Sequence, residues 1–107
     1  MRIDGSVFKA ARGLLGWTQA DIAAEAGVSV SYVKYLETTD TPLGDRARPK
    51  ALSVLSVFTN NGIVFVVLEG EVRGVVQLSE RTDDVASERL VPRDISRIVP
   101  FLFIPEA

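Results

Sequence analysis

The stretch Trp17–Glu37 constrains the fold more than any other part of this chain of 107 residues. Thr18 is a favourable N-cap, and Asp21 three residues later places a carboxylate in the positive first turn of a helix. Gly27 is free to adopt the left-handed conformation that ends a helix, and Ser29 is the next N-cap. The stretch therefore predicts two short helices joined by a tight turn.

Each of these two helices has an inward apolar face. Ile22, Ala23 and Ala26 form the stripe of the first helix, and the two alanines allow another helix to approach closely. Val33 and Leu36 form the inward pair of the second helix, whose other side chains are mostly uncharged and face outward. Two helices of this kind around one glycine turn are typical of a helix-turn-helix.

These residues closely resemble the family of lambda-repressor-like, or Xre (Cro/cI), DNA-binding domains. The resemblance covers roughly the first sixty residues well and the rest in part. The family usually has a glycine shortly after the position of Glu37, whereas Thr38-Thr39-Asp40-Thr41-Pro42 follows here, so the shape of the next loop stays open. The matching positions are Thr18-Gln19, Ile22-Ala23, Ala26-Gly27-Val28-Ser29, Val33 and Leu36-Glu37.

The resemblance implies that the second motif helix enters the major groove of DNA. Serines bond several base edges, Val30 suits a thymine methyl, and Lys34 suits guanine or a phosphate. Arg, Asn and Gln, which form bidentate hydrogen bonds with bases, are missing from these residues. We therefore expect direct base contacts to discriminate weakly between sequences and recognition of DNA shape to supplement them. For Tyr32 the alternative is packing against the first motif helix. The predicted base contacts are Ser29, Val30, Ser31, Tyr32, Lys34 and Tyr35.

A second set of residues is expected at the DNA backbone. Gln19 stands where the first motif helix crosses the backbone, although a plain surface glutamine is the alternative. The basic run before the fourth helix adds salt-sensitive affinity if it contacts phosphates, and is a solvated charge run otherwise. Glu37 resembles the family's acidic residue that pairs with an internal arginine. The predicted phosphate contacts are Thr18, Gln19, Arg46, Arg48 and Lys50.

Composition argues against enzymatic chemistry. The chain has no cysteine and no histidine, which removes thiol nucleophiles, the usual metal ligands and the usual general base. The pair Asp83-Asp84 has no further ligands around it and indicates a solvated loop or a helix start. We therefore predict neither an enzyme nor a metal or cofactor site.

The charge is distributed unevenly along the chain. Residues 1–50 carry seven basic against six acidic side chains, and residues 51–107 carry five against eight. This asymmetry favours the N-terminal half as the part that binds DNA phosphates.

Two further helices complete the predicted N-terminal bundle. The first lies within Met1–Gly16, with Asp4 or Ser6 as its cap, and Trp17 plugs the core at its end. The fourth begins at Pro49 and ends at Asn60-Asn61-Gly62. Three basic residues lie off the apolar stripe of the first helix: Arg2, Lys9 and Arg12. They either contact phosphates or form an ordinary solvated face. The predicted inward residues are Val7, Ala10, Ala11, Leu14 and Leu15 in the first helix, and Ala51, Leu52, Leu55 and Phe58 in the fourth.

The pattern changes to strands after Gly62. Residues 63–68 and 72–78 are β-branched runs around a short glycine turn, which predicts a β-hairpin. Residues 79–91 suit a linker with a short helix, and residues 92–99 suit one or two helical turns. The apolar tail from Phe101 to Pro105 is expected to dock on the hairpin, within the subunit or across a dimer. The predicted dimer contacts are Phe65, Val67, Val76, Leu78, Phe101 and Phe103.

Together these features predict a mostly α protein with a C-terminal β-hairpin. A lambda-repressor-like domain of four to five helices, residues 1–62, precedes a hairpin and short arm, residues 63–107, that form the dimer contact. The expected function is a sequence-specific DNA-binding regulator, a repressor that binds a partly palindromic operator in double-stranded DNA as a homodimer. The alternative is an antitoxin or antagonist whose apolar C-terminal arm holds a protein partner. With no signal-peptide pattern and no apolar run of about 18 residues, we expect a cytoplasmic, nucleoid-associated protein without membrane contact.

Overall fold

Four α-helices precede a β-hairpin, which confirms the predicted fold class. The computed structural model describes residues 1–78 and 101–104. The predicted linker and helical turns of residues 79–99 lie outside this described part. The helices are α1 (Gly5–Leu15), α2 (Gln19–Ala26), α3 (Val30–Glu37) and α4 (Pro49–Asn60). The hairpin strands are β3 (Ile63–Leu68) and β4 (Glu71–Gln77).

Short-range capping fixes where the first three helices begin. The Asp4 carboxylate accepts a hydrogen bond from the Ser6 backbone N–H at 2.8 Å. Thr18 and Asp21 form a reciprocal capping box, and the Ser29 hydroxyl accepts from the Tyr32 N–H at 3.1 Å. Because a cap satisfies amides that the helix itself leaves unpaired, these three starts follow directly from the sequence.

Two short strands that the sequence did not predict join the hairpin. Strand β1 (Arg2–Asp4) pairs antiparallel with β2 (Asp40–Pro42), and Ile3 of β1 pairs with Val72 of β4 in parallel. A 3₁₀ turn, Gly44–Arg46, follows β2. The segment after α3, predicted as a plain loop, thus contains a strand. With β5 (Phe101–Ile104), the sheet has the order β2-β1-β4-β3-β5.

The C-terminal tail docks on the hairpin within the same chain. Strand β5 runs parallel to β3, with Phe101 opposite Phe65 and Ile104 opposite Leu68. This placement confirms the first of the two expected positions for the tail. Strand β3 therefore has a neighbour on both sides, β4 and β5.

One hydrophobic core joins the helices to the sheet. The rings of Phe8 and Phe58 lie 6.3 Å apart, as do those of Phe58 and Phe65, and Phe65 lies 5.8 Å from Phe101. Side chains from α1, α4 and β3 therefore pack in one continuous series that reaches β5. The core continues across residue 62, where the sequence predicted a domain boundary.

Two predicted core leucines are exposed instead. Leu14 shares a face of α1 with Val7, but the buried residues of α1 all lie between Gly5 and Ala11. Leu52 falls off the buried face of α4, which follows the spacing i, i+3, i+4, i+7 from Ala51. Ala10 is exposed as well, and Phe8, absent from the predicted stripe, is fully buried in its place.

Candidate nucleic-acid interface

Helix α3 presents an exposed face to solvent, as the sequence predicted. Val33 and Leu36 are buried, whereas Ser29, Ser31 and Lys34 are exposed. Large apolar surface accompanies them, because Val30 is 38% exposed and Tyr35 is 49% exposed. An exposed helix face that combines hydroxyl, ammonium and apolar groups has the chemistry needed to read base edges in the major groove.

Tyr32 occupies an intermediate position on the same helix. It is half-buried and packs against the hydrophobic core. Burial raises the pKa of the Tyr32 hydroxyl, and the positive charge of Arg48 opposes this shift. The Lys50 ammonium lies 5.9 Å from the centre of the Tyr32 ring, within the range of a cation–π contact. The start of α4 is therefore next to α3.

An internal ion pair ties α3 to α1. Arg12 donates from Nε to Glu37 Oε2 at 2.7 Å and from Nη2 to Glu37 Oε1 at 3.1 Å. Arg12 Nη1 also donates to the carbonyl of Trp17 at 3.1 Å. Glu37 pairs with an internal arginine, as the resemblance implied, and that arginine is Arg12. The sequence had left Arg12 among the candidates for phosphate contact.

Burial and hydrogen bonding oppose each other at Glu37, whose side chain is only 5% exposed. Burial raises the pKa of this carboxyl, but the hydrogen bonds from Arg12 and Gln19 together lower it further, so that the net shift is downward. Conversely, the hydrogen bond to Glu37 raises the pKa of Arg12. Both side chains are held in their charged forms, which fixes the relative position of the two helices.

Gly5 permits the close approach of these helices. A Cβ atom at this position would lie 2.5 Å from the carbonyl carbon of Glu37. No side chain fits in that space, so the first turn of α1 packs directly on the backbone at the end of α3.

Hydrogen bonds hold both of the predicted phosphate contacts at the start of α2, one within the helix cap and one to the end of α3. Thr18 is exposed, and its hydroxyl accepts from the Asp21 N–H at 3.1 Å. Gln19 is half-buried and donates from Nε2 to Glu37 Oε1 at 3.2 Å. Both residues line an open cleft that also contains Lys9, Arg12 and Lys34. Three cationic side chains thus surround the start of α2.

The basic run before α4 is exposed along its length. Arg46 ends the 3₁₀ turn, Arg48 is the N-cap residue of α4, and Lys50 lies in its first turn. Lys50 lies near the ring of Tyr32, and Arg48 lines a cleft together with Tyr32 and Tyr35, so both basic residues are beside α3.

Comparison with known proteins supports the same interpretation of this region. Residues 8–47, which include α2, the turn and α3, match the family model described as helix-turn-helix. The match supports a helix-turn-helix of the Xre, lambda-repressor-like kind in this part of the chain. Such domains belong to DNA-binding transcriptional regulators. No curated protein matches the chain.

In helix-turn-helix domains the second helix of the motif is the recognition helix and the first crosses the DNA backbone, and the motif positions of these two helices correspond to α3 and α2. The family match ends at residue 47, and the hairpin and β5 lie outside it. Within the described residues, none of the helices has the length and apolar character that a membrane crossing requires.

The six predicted dimer contacts are distributed between the interior and the surface. Phe65 and Val67 are buried in the core of their own chain, so neither offers an apolar surface to a second subunit. Val76 is 43% exposed, and Leu78 is half-buried. Phe101 is half-buried against Phe65. The side chain of Phe103, the sixth residue, lies outside the described part of the structure.

Proposed function

We propose that this chain is a sequence-specific repressor that binds a partly palindromic operator as a homodimer. The single observation that supports it most is the exposed recognition helix of a helix-turn-helix domain, with Arg48 and Lys50 beside it. A dimer that occupies an operator blocks access to the DNA by its presence, so repression needs no further domain.

The base contacts would come from α3. Ser29, Ser31 and Lys34 supply donors for base edges, and Val30 and Tyr35 supply apolar surface for thymine methyls. The half-buried Tyr32 would contribute at its exposed edge. Since bidentate readers are missing from this helix, sequence-dependent DNA shape would add to the discrimination.

The phosphate contacts would flank the recognition helix on both sides. Thr18 and Gln19 stand at the start of α2, and Arg46, Arg48 and Lys50 stand before and within the first turn of α4. Each phosphate that these residues neutralise releases a counterion, so the affinity falls as the salt concentration rises.

The dimer contact would use the face of the hairpin opposite the helices. Val76 is 43% exposed on that face, and its register partner Val64 does not belong to the helix-packed core. Two subunits related by a twofold axis would place their recognition helices in successive major grooves, roughly 34 Å apart.

Fluorescence anisotropy tests the proposal. The chain is titrated onto a labelled duplex from the region upstream of its own gene, with a scrambled duplex of equal length, at several salt concentrations. We expect tighter binding to the native duplex and a slope of log K against log salt that becomes shallower by about 2 when Arg46 and Arg48 are both changed to alanine. Arg73→Ala, on β4, is the matched control and should leave the slope unchanged. Equal binding to both duplexes, or equal slopes for all variants, would contradict the proposal.

A further inference from the structure

A polar cleft lies next to the recognition helix, on the side of the β1–β2 ladder. It has a volume of about 270 Å³. Side chains from β1, α3, β2 and the segment before α4 line it, including Arg2, Tyr32, Tyr35, Asp40, Thr41 and Arg48. We refer to it as the Arg2–Arg48 cleft. The family match, which begins at residue 8, does not include its N-terminal part.

The fold brings two guanidinium groups to this cleft from opposite ends of the helical region. Arg2 stands opposite Pro42 in the β1–β2 ladder, and its Nη2 donates to the carbonyl oxygen of Asp40 at 3.2 Å. That bond uses one of the five N–H donors of Arg2. Arg48 enters from the N-cap of α4. With the single carboxylate of Asp40, the charged lining has a net positive balance.

Two tyrosines add neutral donors. Tyr32 and Tyr35 of α3 line the same cleft as the two arginines, and each carries one hydroxyl group.

We propose that the Arg2–Arg48 cleft binds a phosphate group. Arg2 and Arg48 supply charge-assisted donors, and the hydroxyls of Tyr32 and Tyr35 supply neutral ones. A tetrahedral anion with several oxygens satisfies donors that arrive from different directions, which a single planar carboxylate does less well. The phosphate belongs either to the DNA backbone beside the recognition helix or to a free phosphate compound, and the two sources are separated by experiment.

The first arm tests free phosphate. Inorganic phosphate is titrated into ¹⁵N-labelled protein at constant ionic strength, and the amide signals of Tyr35, Thr41 and the Arg2 side chain are followed by NMR. Saturable shifts are expected, with a dissociation constant that rises about tenfold in Arg2→Gln and in Arg48→Gln. Arg73→Gln is the control and should bind phosphate like the unchanged protein.

The second arm tests the DNA backbone. The slope of log K against log salt is measured for DNA binding by the unchanged protein, Arg2→Gln and Arg73→Gln. A DNA phosphate in the cleft predicts a loss of about 1 in the slope for Arg2→Gln alone. Saturation by free phosphate with an unchanged DNA slope would assign the site to a free ligand, and a reduced slope without such saturation would assign it to DNA.

Failure of both arms would overturn the phosphate site. This proposal stands apart from the repressor function. If the unchanged protein binds no DNA, the repressor proposal fails, while the phosphate titration still decides what the cleft does.

Discussion

At the scale of single residues, the contact between α1 and α3 depends on having no side chain at position 5. A Cβ atom on Gly5 would overlap the backbone of Glu37, and neither helix has a flexible group there that moves aside. We expect Gly5→Ala to destabilise the protein by about 3 kcal/mol. Gly13 is the matched control, since it lies in the same helix with nothing within 4 Å of the added Cβ. Gly13→Ala should stabilise by up to about 1 kcal/mol. Urea unfolding measures both, and equal effects would contradict the close-approach interpretation.

The ion pair between Arg12 and Glu37 makes a second prediction at this scale. Because the pKa of Glu37 is lower in the folded chain than its ordinary value of 4.5, the pair stabilises the fold above that pH and loses its contribution as the pH falls through the folded value. Glu37→Gln should therefore cost about 2 kcal/mol at pH 7 and progressively less on acidification. The urea midpoint measured from pH 7 down to pH 3 tests this. The exposed Glu25→Gln is the control, and a constant gap between Glu37→Gln and the unchanged protein would contradict the prediction.

At the scale of elements, the recognition helix has an apolar contact to test. Val30 is exposed without any structural partner that requires a branched side chain there. If it packs on a thymine methyl, replacing that thymine by uracil in the operator should weaken binding about fivefold. Val30→Ala should bind both duplexes equally. Anisotropy with the two duplexes measures the difference, and an unchanged uracil effect in Val30→Ala would assign the methyl contact to another residue.

The elements also show which parts of the fold are predictable from sequence. The starts of α1, α2 and α3 depend on caps within three residues of each helix end, so the local sequence determines them. Strands β1 and β2 have three residues each and exist because they pair with each other across 38 residues and because β1 also pairs with β4. Their sequences carry no alternation long enough to indicate a strand. The partner of Glu37 was missed for the same reason, because Arg12 lies 25 residues away and is charged like any surface residue.

The candidate site also contains some features that the sequence predicts and others that it does not. The exposed residues of α3 follow from helical periodicity once Val33 and Leu36 are placed inward. The Arg2–Arg48 cleft cannot be predicted from periodicity, because it depends on the β1–β2 ladder. The burial of Phe65 and Val67 also escaped the sequence, because β3 is apolar on both faces and periodicity alone does not show which face packs on the helices.

At the scale of the whole molecule, the account depends on a dimer formed by the outer face of the hairpin. Val76→Lys would place a charge in that contact, so we expect the variant to be monomeric at concentrations where the unchanged protein is dimeric. Gln77→Lys, at the exposed neighbouring position, should remain dimeric. Sedimentation velocity measures both. If the two variants behaved identically, Val76 would not be part of the dimer interface.

Selection from a pool of random duplexes directly tests whether the chain recognises a specific DNA sequence as a dimer. The full chain is incubated with the pool near physiological salt, and bound duplexes are sequenced over several rounds. For a dimeric, sequence-specific repressor we expect enrichment of a motif made of two related half-sites in inverted orientation, with centres about one helical turn apart. We also expect Ser31→Ala and Lys34→Ala to change or abolish the motif. Recovery of a pool no different from the input would contradict sequence-specific recognition by this helix-turn-helix domain.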